Sequence, residues 1–234
     1  CTHVSNVFGF ILPVEEIAAM CREYGVPFVL DASQSAGVLN VDMEALGAEF
    51  VAMPGHKGLL GPQGTGVLLC RDRARPIMAG GTGSESRNQA MPETLPDALE
   101  AGTHNIPGIA GLLAGLRYVK RRGLESIDAH ERKLKGLMCR KLAGISGLEV
   151  FSSPTAQSGV LSVRSGKLGS EEIAAALGAR GVAVRAGLHC APLAHQSAGT
   201  LEGGTVRFSF SPFNNAAEID RAAAELVRIL KMSS

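Results

Sequence analysis

An excess of either sign of charge is missing from this sequence. Its 234 residues carry 23 Lys and Arg against 22 Asp and Glu, a net charge of +1, with no run of like charges. That evenness argues against a dedicated nucleic-acid surface or a polybasic membrane patch. No apolar run is long enough to cross a bilayer, and no segment has the make-up of a secretory signal. Cysteine is scarce and odd in number: five residues, with no CxxC and no zinc spacing. Reduced thiols in a cytoplasmic protein are therefore the expectation. Cys190 with His195 lacks the second ligand pair that zinc needs, so no metal is expected. Tryptophan is absent and aromatics make up only 4%, yet the apolar fraction is 45% with modest charge, which excludes disorder. Repeats and low-complexity tracts are also lacking.

Glycine is what the chain has in excess: 29 of 234 residues, about 12% against an average of roughly 7%. Such a surplus points to tight turns and to backbone packed close to a ligand. Pro13, followed by Glu15 and Glu16, opens a helix whose apolar face is Ile17, Met20, Cys21 and Tyr24, with Gly25 as its end. Val26 to Leu30 reads as a buried strand closed by Asp31. A helical turn over 41–47, a strand over 50–53, a glycine-rich turn over 61–66 and a strand over 65–70 follow. Residues 80–103 are rich in Gly, Ser, Thr and Pro and read as a long loop. A helix then carries the stripe Ile109, Leu112, Leu113, Leu116 and Val119, and a second helix spans about 124–142. Strands are expected at 148–151, 160–163, 182–185 and 205–209, with a helix capped by Ser170. Asn215 and Glu218 form a capping box ahead of a terminal helix faced with Ile219, Ala222, Ala223, Leu226 and Leu230. The first half is α/β with a parallel sheet; an α+β unit begins near residue 121.

Four residues stand out chemically. Lys57 follows a strand in the run Gly55-His56-Lys57; such a lysine becomes a nucleophile when burial lowers its pKa, and it can also form a Schiff base with pyridoxal 5'-phosphate. Asp31 closes an apolar strand, where a carboxylate can hold a pyridinium nitrogen protonated, and Gln34 lies within reach of a ring oxygen; alone, Asp31 also suits a plain turn cap. Cys190 lies in Arg185-Ala186-Gly187-Leu188-His189-Cys190, where cationic neighbours favour a thiolate. Cys21, Cys70 and Cys139 fit the commoner fate of packed structural cysteines. Arg207, within an apolar strand, suits a carboxylate clamp or a solvated edge position. The 61–66 turn lacks the Gly-Lys-Ser/Thr ending of a Walker loop.

The order Ser5-Asn6-Val7-Phe8-Gly9, Asp31-Ala32-Ser33-Gln34-Ser35, Gly55-His56-Lys57, Gly61-Pro62-Gln63-Gly64-Thr65-Gly66, Glu100-Ala101-Gly102-Thr103-His104-Asn105 and Arg185 to Cys190 resembles the cysteine desulfurases. These are class V aminotransferase relatives of fold-type I that use pyridoxal 5'-phosphate. The Arg-Ala-Gly-Leu-His-Cys-Ala-Pro-Leu form is similar to the branch with the SUF-type desulfurases and selenocysteine lyases. The resemblance implies an α/β fold. Residues 1–120 would be part of a large cofactor-binding domain with a mostly parallel sheet, and 121–234 a small α+β domain with the catalytic cysteine. It implies Lys57 as the cofactor lysine, Asp31 on the pyridine nitrogen and Gln34 on the ring oxygen. His56 would bind the phosphate, as would Thr103 from the other subunit of a homodimer. Asn6 and Arg207 would hold the substrate carboxylate, and Cys190 would take sulfur from L-cysteine as a persulfide for an acceptor protein. L-selenocysteine is the alternative substrate. Another class V enzyme is the second enzymatic reading, and a catalytically silent dimerising fragment the non-enzymatic one. A transaminase needs no such cysteine. Pro54 stands where the family commonly has a phosphate-binding serine. The family's chain is longer at its amino end, and this one opens at Cys1 without methionine, so an incomplete site is expected.

Overall fold

A computed structural model describes residues 1–72 and 74–232. The chain falls into two compact units. The first joins Cys1–Thr2 to Pro13–Arg121; the second joins His3–Leu12 to the chain from Arg122 onward. The amino-terminal segment His3–Leu12, expected in the first domain, thus packs with the second.

The first unit contains α1 (Val14–Glu23), β1 (Val29–Asp31), α2 (Met43–Leu46), β2 (Phe50–Pro54), β3 (Gly66–Cys70) and α3 (Ile106–Arg122). Its sheet has the order β1-β2-β3. β1 runs parallel to β2, with Leu30 opposite Val51 and Asp31 opposite Ala52. β3 is antiparallel to β2, so of the two pairings in a sheet expected to be mostly parallel, one is parallel. The chain returns directly through 55–65, whereas a parallel partner needs a crossover of roughly a dozen residues or more. The expected strand over 26–30 shortens to three residues, and only Leu30 of them is buried.

Both helix faces differ from the expected stripes. α1 buries Val14 and Ala18, while Met20 and Tyr24 are exposed. α3 buries Gly108, Leu112, Gly115 and Val119, while Ile109, Leu113 and Leu116 are exposed. For α3 the reason is close approach. A Cβ on Gly115 would stand 2.3 Å from Leu59 O, and one on Gly61 2.8 Å from Leu112 Cδ1. At Gly108 and Gly115 a larger residue does not fit, so those positions face inward with Leu112 and Val119.

The second unit contains α4 (Leu124–Leu142), β4 (Leu148–Phe151), β5 (Val160–Ser165), α5 (Ser170–Gly178), β6 (Arg185–Gly187), α6 (Pro192–Ser197), β7 (Thr205–Ser209) and α7 (Ala216–Met232). The sheet is antiparallel with order β4-β5-β7-β6. Leu134, Met138 and Leu142 of α4, Leu161 and Val163 of β5, Ile173 and Leu177 of α5, and Leu226 and Leu230 of α7 share one core. Each such side chain contributes about 1.5–3 kcal/mol by burial. α7 starts on a reciprocal capping box: the Glu218 N–H donates to Asn215 Oδ1, and the Asn215 N–H to Glu218 Oε2. Two expectations shift. The cap of α5 is Gly169, and Ser170 Oγ instead donates to Gly203 O. β6 begins at Arg185 instead of Val182 and pairs with Thr205 to Arg207 of β7.

Candidate functional site

In the first unit, two loops leave the carboxyl ends of the parallel pair β1 and β2, the usual place for ligands of such sheets. The first starts at Asp31. The Ala32 N–H continues the ladder to Ala52 O at 2.9 Å, and Asp31 Oδ1 accepts from the Ser33 N–H at 2.9 Å. Gln34 follows, half-buried. The second loop carries His56 and Lys57, both exposed. It is closed by Gly55 N–H to Thr65 O (2.8 Å), Leu60 N–H to Lys57 O (2.9 Å) and Gly61 N–H to Gly55 O (2.7 Å).

The two loops interlock through glycine. A Cβ on Gly37 would stand 2.1 Å from Gly58 O, and one on Gly58 2.3 Å from Ala36 O. Gly37 also has φ +85°, a conformation open to few other residues. Backbone against backbone, the loop that follows Asp31 and carries Gln34 is fixed to the loop that carries His56 and Lys57. Thr103 lies outside that pair of loops, exposed in the irregular segment before α3.

In the second unit, Cys190 lies between β6 and α6. His189 and Cys190 have φ +51° and +61°, two successive non-glycine residues in the left-handed region. Such backbone costs of order 1–3 kcal/mol per residue and persists only where the surroundings impose it. Three contacts do so here. Asn6 Nδ2 donates to His189 O at 2.7 Å, the Ala191 N–H donates to Leu188 O at 2.9 Å, and the buried His189 ring meets Thr205 Oγ1 through Nε2 at 3.1 Å. The result is an exposed thiol with Arg185 Nη2 at 3.7 Å from its sulfur.

Arg185 stands directly across the β6–β7 ladder from Arg207. Like charges in that position repel. Burial first, then Arg185, push the Arg207 pKa below its ordinary value, while Cys190 opposes them. Arg207 Nη1 donates to Asn6 O at 2.8 Å, and its buried Nε has no hydrogen-bond partner among the described residues. Two guanidiniums and an orphaned donor beside a thiol make an anion site. His189 adds no charge to it at neutral pH: burial, then Arg207 and His195, bring its pKa down to about 4.

Asn6, Arg207 and Cys190 are therefore brought together within one unit, and Asp31, Gln34, His56 and Lys57 within the other. Sequence reasoning missed Thr205, Ser162 and Gln157, which support the second group. The one available signal was polarity inside apolar strands, as at Ser162 between Leu161 and Val163.

The aminotransferase class-V family model matches residues 1–222. This chain belongs to the class-V aminotransferase family. Within that family it is 36% identical over 239 residues to a probable cysteine desulfurase of Methanothermobacter thermautotrophicus, covering 99% of this chain and 60% of that relative. The apo cysteine desulfurase of Thermococcus onnurineus NA1 superposes with a TM-score of 0.89 at 34% identity, over 99% of this chain and 59% of that one. The cysteine desulfurase CsdA (S-sulfonic acid) of Escherichia coli gives 0.87 at 27% identity, over 100% and 59%. This class-V chain thus spans about 60% of the length of the curated relative. No helix among its described residues is long and apolar enough to cross a membrane.

Proposed function

We propose that this chain is part of a pyridoxal 5'-phosphate-dependent cysteine desulfurase that converts L-cysteine to L-alanine and leaves the sulfur on Cys190. The donor set of the interlocked loops fits the cofactor: an amine, a carboxylate, an amide and an imidazole on two loops whose backbones meet at Gly37 and Gly58. Lys57 would hold it covalently, Asp31 its pyridine nitrogen, Gln34 its ring oxygen, and His56 its phosphate together with Thr103 of a second copy in a homodimer. Pro54 has no N–H to add to that phosphate. When bound, the cofactor supplies an electron sink for negative charge at the substrate's α-carbon.

The chain's own residues do the rest. Arg207 and Asn6 bind the substrate carboxylate, for which the buried Arg207 Nε is a waiting donor. The Lys57 Nζ takes the α-proton. Cys190 Sγ, as thiolate, attacks the substrate sulfur, with the Arg185 guanidinium complementing its charge. One S–S bond forms as the substrate's C–S bond breaks, and the bonding pair stays with carbon. The balance is L-cysteine plus a thiol giving L-alanine plus a persulfide, whose outer sulfur passes to an acceptor protein.

The observation that carries this reading is the exposed Cys190 thiol held in the left-handed region beside two arginines. Transamination needs no such thiol. The test is mass spectrometry of the intact protein after L-cysteine. One added sulfur atom on the Cys190 peptide is expected, and Cys190→Ser abolishes alanine formation. Alanine released by that variant at the wild-type rate refutes the reading.

A further inference from the structure

Asn6, Val7 and Phe8 form no strand, yet Val7 and Phe8 are buried. Their carbonyls cannot reach water and need donors. Each of the three successive carbonyls receives one from a different side chain. Arg207 Nη1 donates to Asn6 O at 2.8 Å, Ser162 Oγ to Val7 O at 2.5 Å, and Gln157 Nε2 to Phe8 O at 2.6 Å. Ser162 and Gln157 are both 0% exposed. They come from β5 and from the turn before it, far along the chain from the segment they hold.

Gln157 is itself fixed. Its Oε1 accepts from Lys135 Nζ at 3.0 Å and from the Ser153 N–H at 2.9 Å. Its Nε2 also lies 3.0 Å from Phe151 O and from Val160 O. Flanking backbone bonds from the Ser158 N–H to Gly9 O (2.9 Å) and from the Ile11 N–H to Ala156 O (3.0 Å) set the register of the segment. Gly9, at φ +70°, packs so close to β5 that a Cβ there would stand 2.9 Å from Val160.

Satisfying buried carbonyls accounts for the hydrogen bonds, but not for where the segment delivers its force. Its one outward product is Asn6. That residue holds His189 O through Nδ2 and Arg207 through its own carbonyl. It therefore touches both the backbone that sets the Cys190 conformation and the guanidinium that faces anions. A shift of Val7 or Phe8 by a fraction of an ångström is passed to both.

We infer that Ser162 and Gln157 are positioning residues, which set the geometry of Arg207 and Cys190 through Asn6. The effect on turnover rests on the desulfurase reading above; the effect on the thiol does not. Two variants of the intact protein test it. Ser162→Ala removes only the hydroxyl, and Gln157→Glu keeps the shape while removing the Nε2 donor beside Lys135. Leu161→Val is the control: it trims the same strand without touching the segment's carbonyls.

The first readout is the rate of Cys190 alkylation by iodoacetamide at fixed pH. It is expected to fall about threefold or more in both variants as the left-handed backbone that presents the sulfur relaxes, and to stay near wild type in Leu161→Val. The second is steady-state kinetics with L-cysteine. KM rises about tenfold, the signature of weakened carboxylate binding, and kcat falls by no more than the alkylation rate does. If wild type releases no alanine, the desulfurase reading fails and alkylation alone decides the positioning role. Alkylation unchanged in Ser162→Ala, or changed equally in Leu161→Val, overturns the inference. If Ser162→Ala does not fold, Gln157→Glu is judged by the same two criteria.

Discussion

Glu131 lets the pH dependence of stability be worked out from a single carboxyl group. It lies on α4, is 6% exposed, and packs its carboxyl against Gly159, where a Cβ would stand 2.6 Å from Oε2. Burial, and then the Asp128 carboxylate one turn earlier, push its pKa from 4.5 up to about 8. Arg132 Nε sits 2.8 Å from both oxygens of Asp128. Between these two pKa values the folded chain holds a proton that the unfolded chain has released. Stability contributed by this group is complete below 4.5 and is lost as pH rises toward 8. The slope is ~1.4 kcal/mol per pH unit, which sets a ceiling of about 5 kcal/mol over the interval. Glu131→Gln keeps the shape and removes the titration. In urea titrations followed by circular dichroism, the stability difference between variant and wild type should grow with pH from about 5 to about 7.5 and level off above about 8.5. Comparing the two proteins at each pH cancels every other titrating group. A difference that stays constant over that range refutes the argument.

Gly58→Ala places a Cβ 2.3 Å from Ala36 O, so the loops bearing Lys57 and Asp31 must part. Urea unfolding should show a loss of about 1–3 kcal/mol, and wild-type stability would mean the loops are not interlocked. His189, brought down to about 4, should remain neutral in an NMR titration until the pH approaches that value. Its contribution is present above 6.5 and lost as pH falls through 4, the opposite sense to Glu131; a ring titrating near 6.5 is inconsistent with its burial.

Local signals in the sequence carried well into three dimensions. The Asn215–Glu218 capping box and the α7 stripe appear as read, because each depends on residues within a turn or two of one another. The faces of α1 and α3 did not, and the reason is physical. α3 packs so close that Gly108 and Gly115 turn inward and Ile109 and Leu113 stay outside, while α1 buries Ala18 and leaves Met20 outside. Apolar periodicity weights large side chains, so of the expected α3 stripe only Leu112 and Val119 lie on the buried face. At the candidate site, the chemically distinctive residues were legible by type and spacing. Their supports were not: Ser162 is one hydroxyl in an apolar strand, and nothing near Asn6 in sequence announces a partner 155 residues from its neighbour Val7.

That separation has a consequence for synthesis. The segment holding Asn6 leaves the ribosome well ahead of its hydrogen-bond donors Gln157, Ser162 and Arg207. At about 5–20 residues per second, Asn6 waits roughly 10–40 s for Arg207 to be made, its carbonyls meanwhile bonded to water. The chain between them, including all of β1 to α3, has time to fold first. The backbone also passes from one unit to the other twice within its first 13 residues and again at Arg121. The second unit is therefore not one continuous stretch of polypeptide, and a cut at that last crossing would release β5 and β7 without the strap they grip.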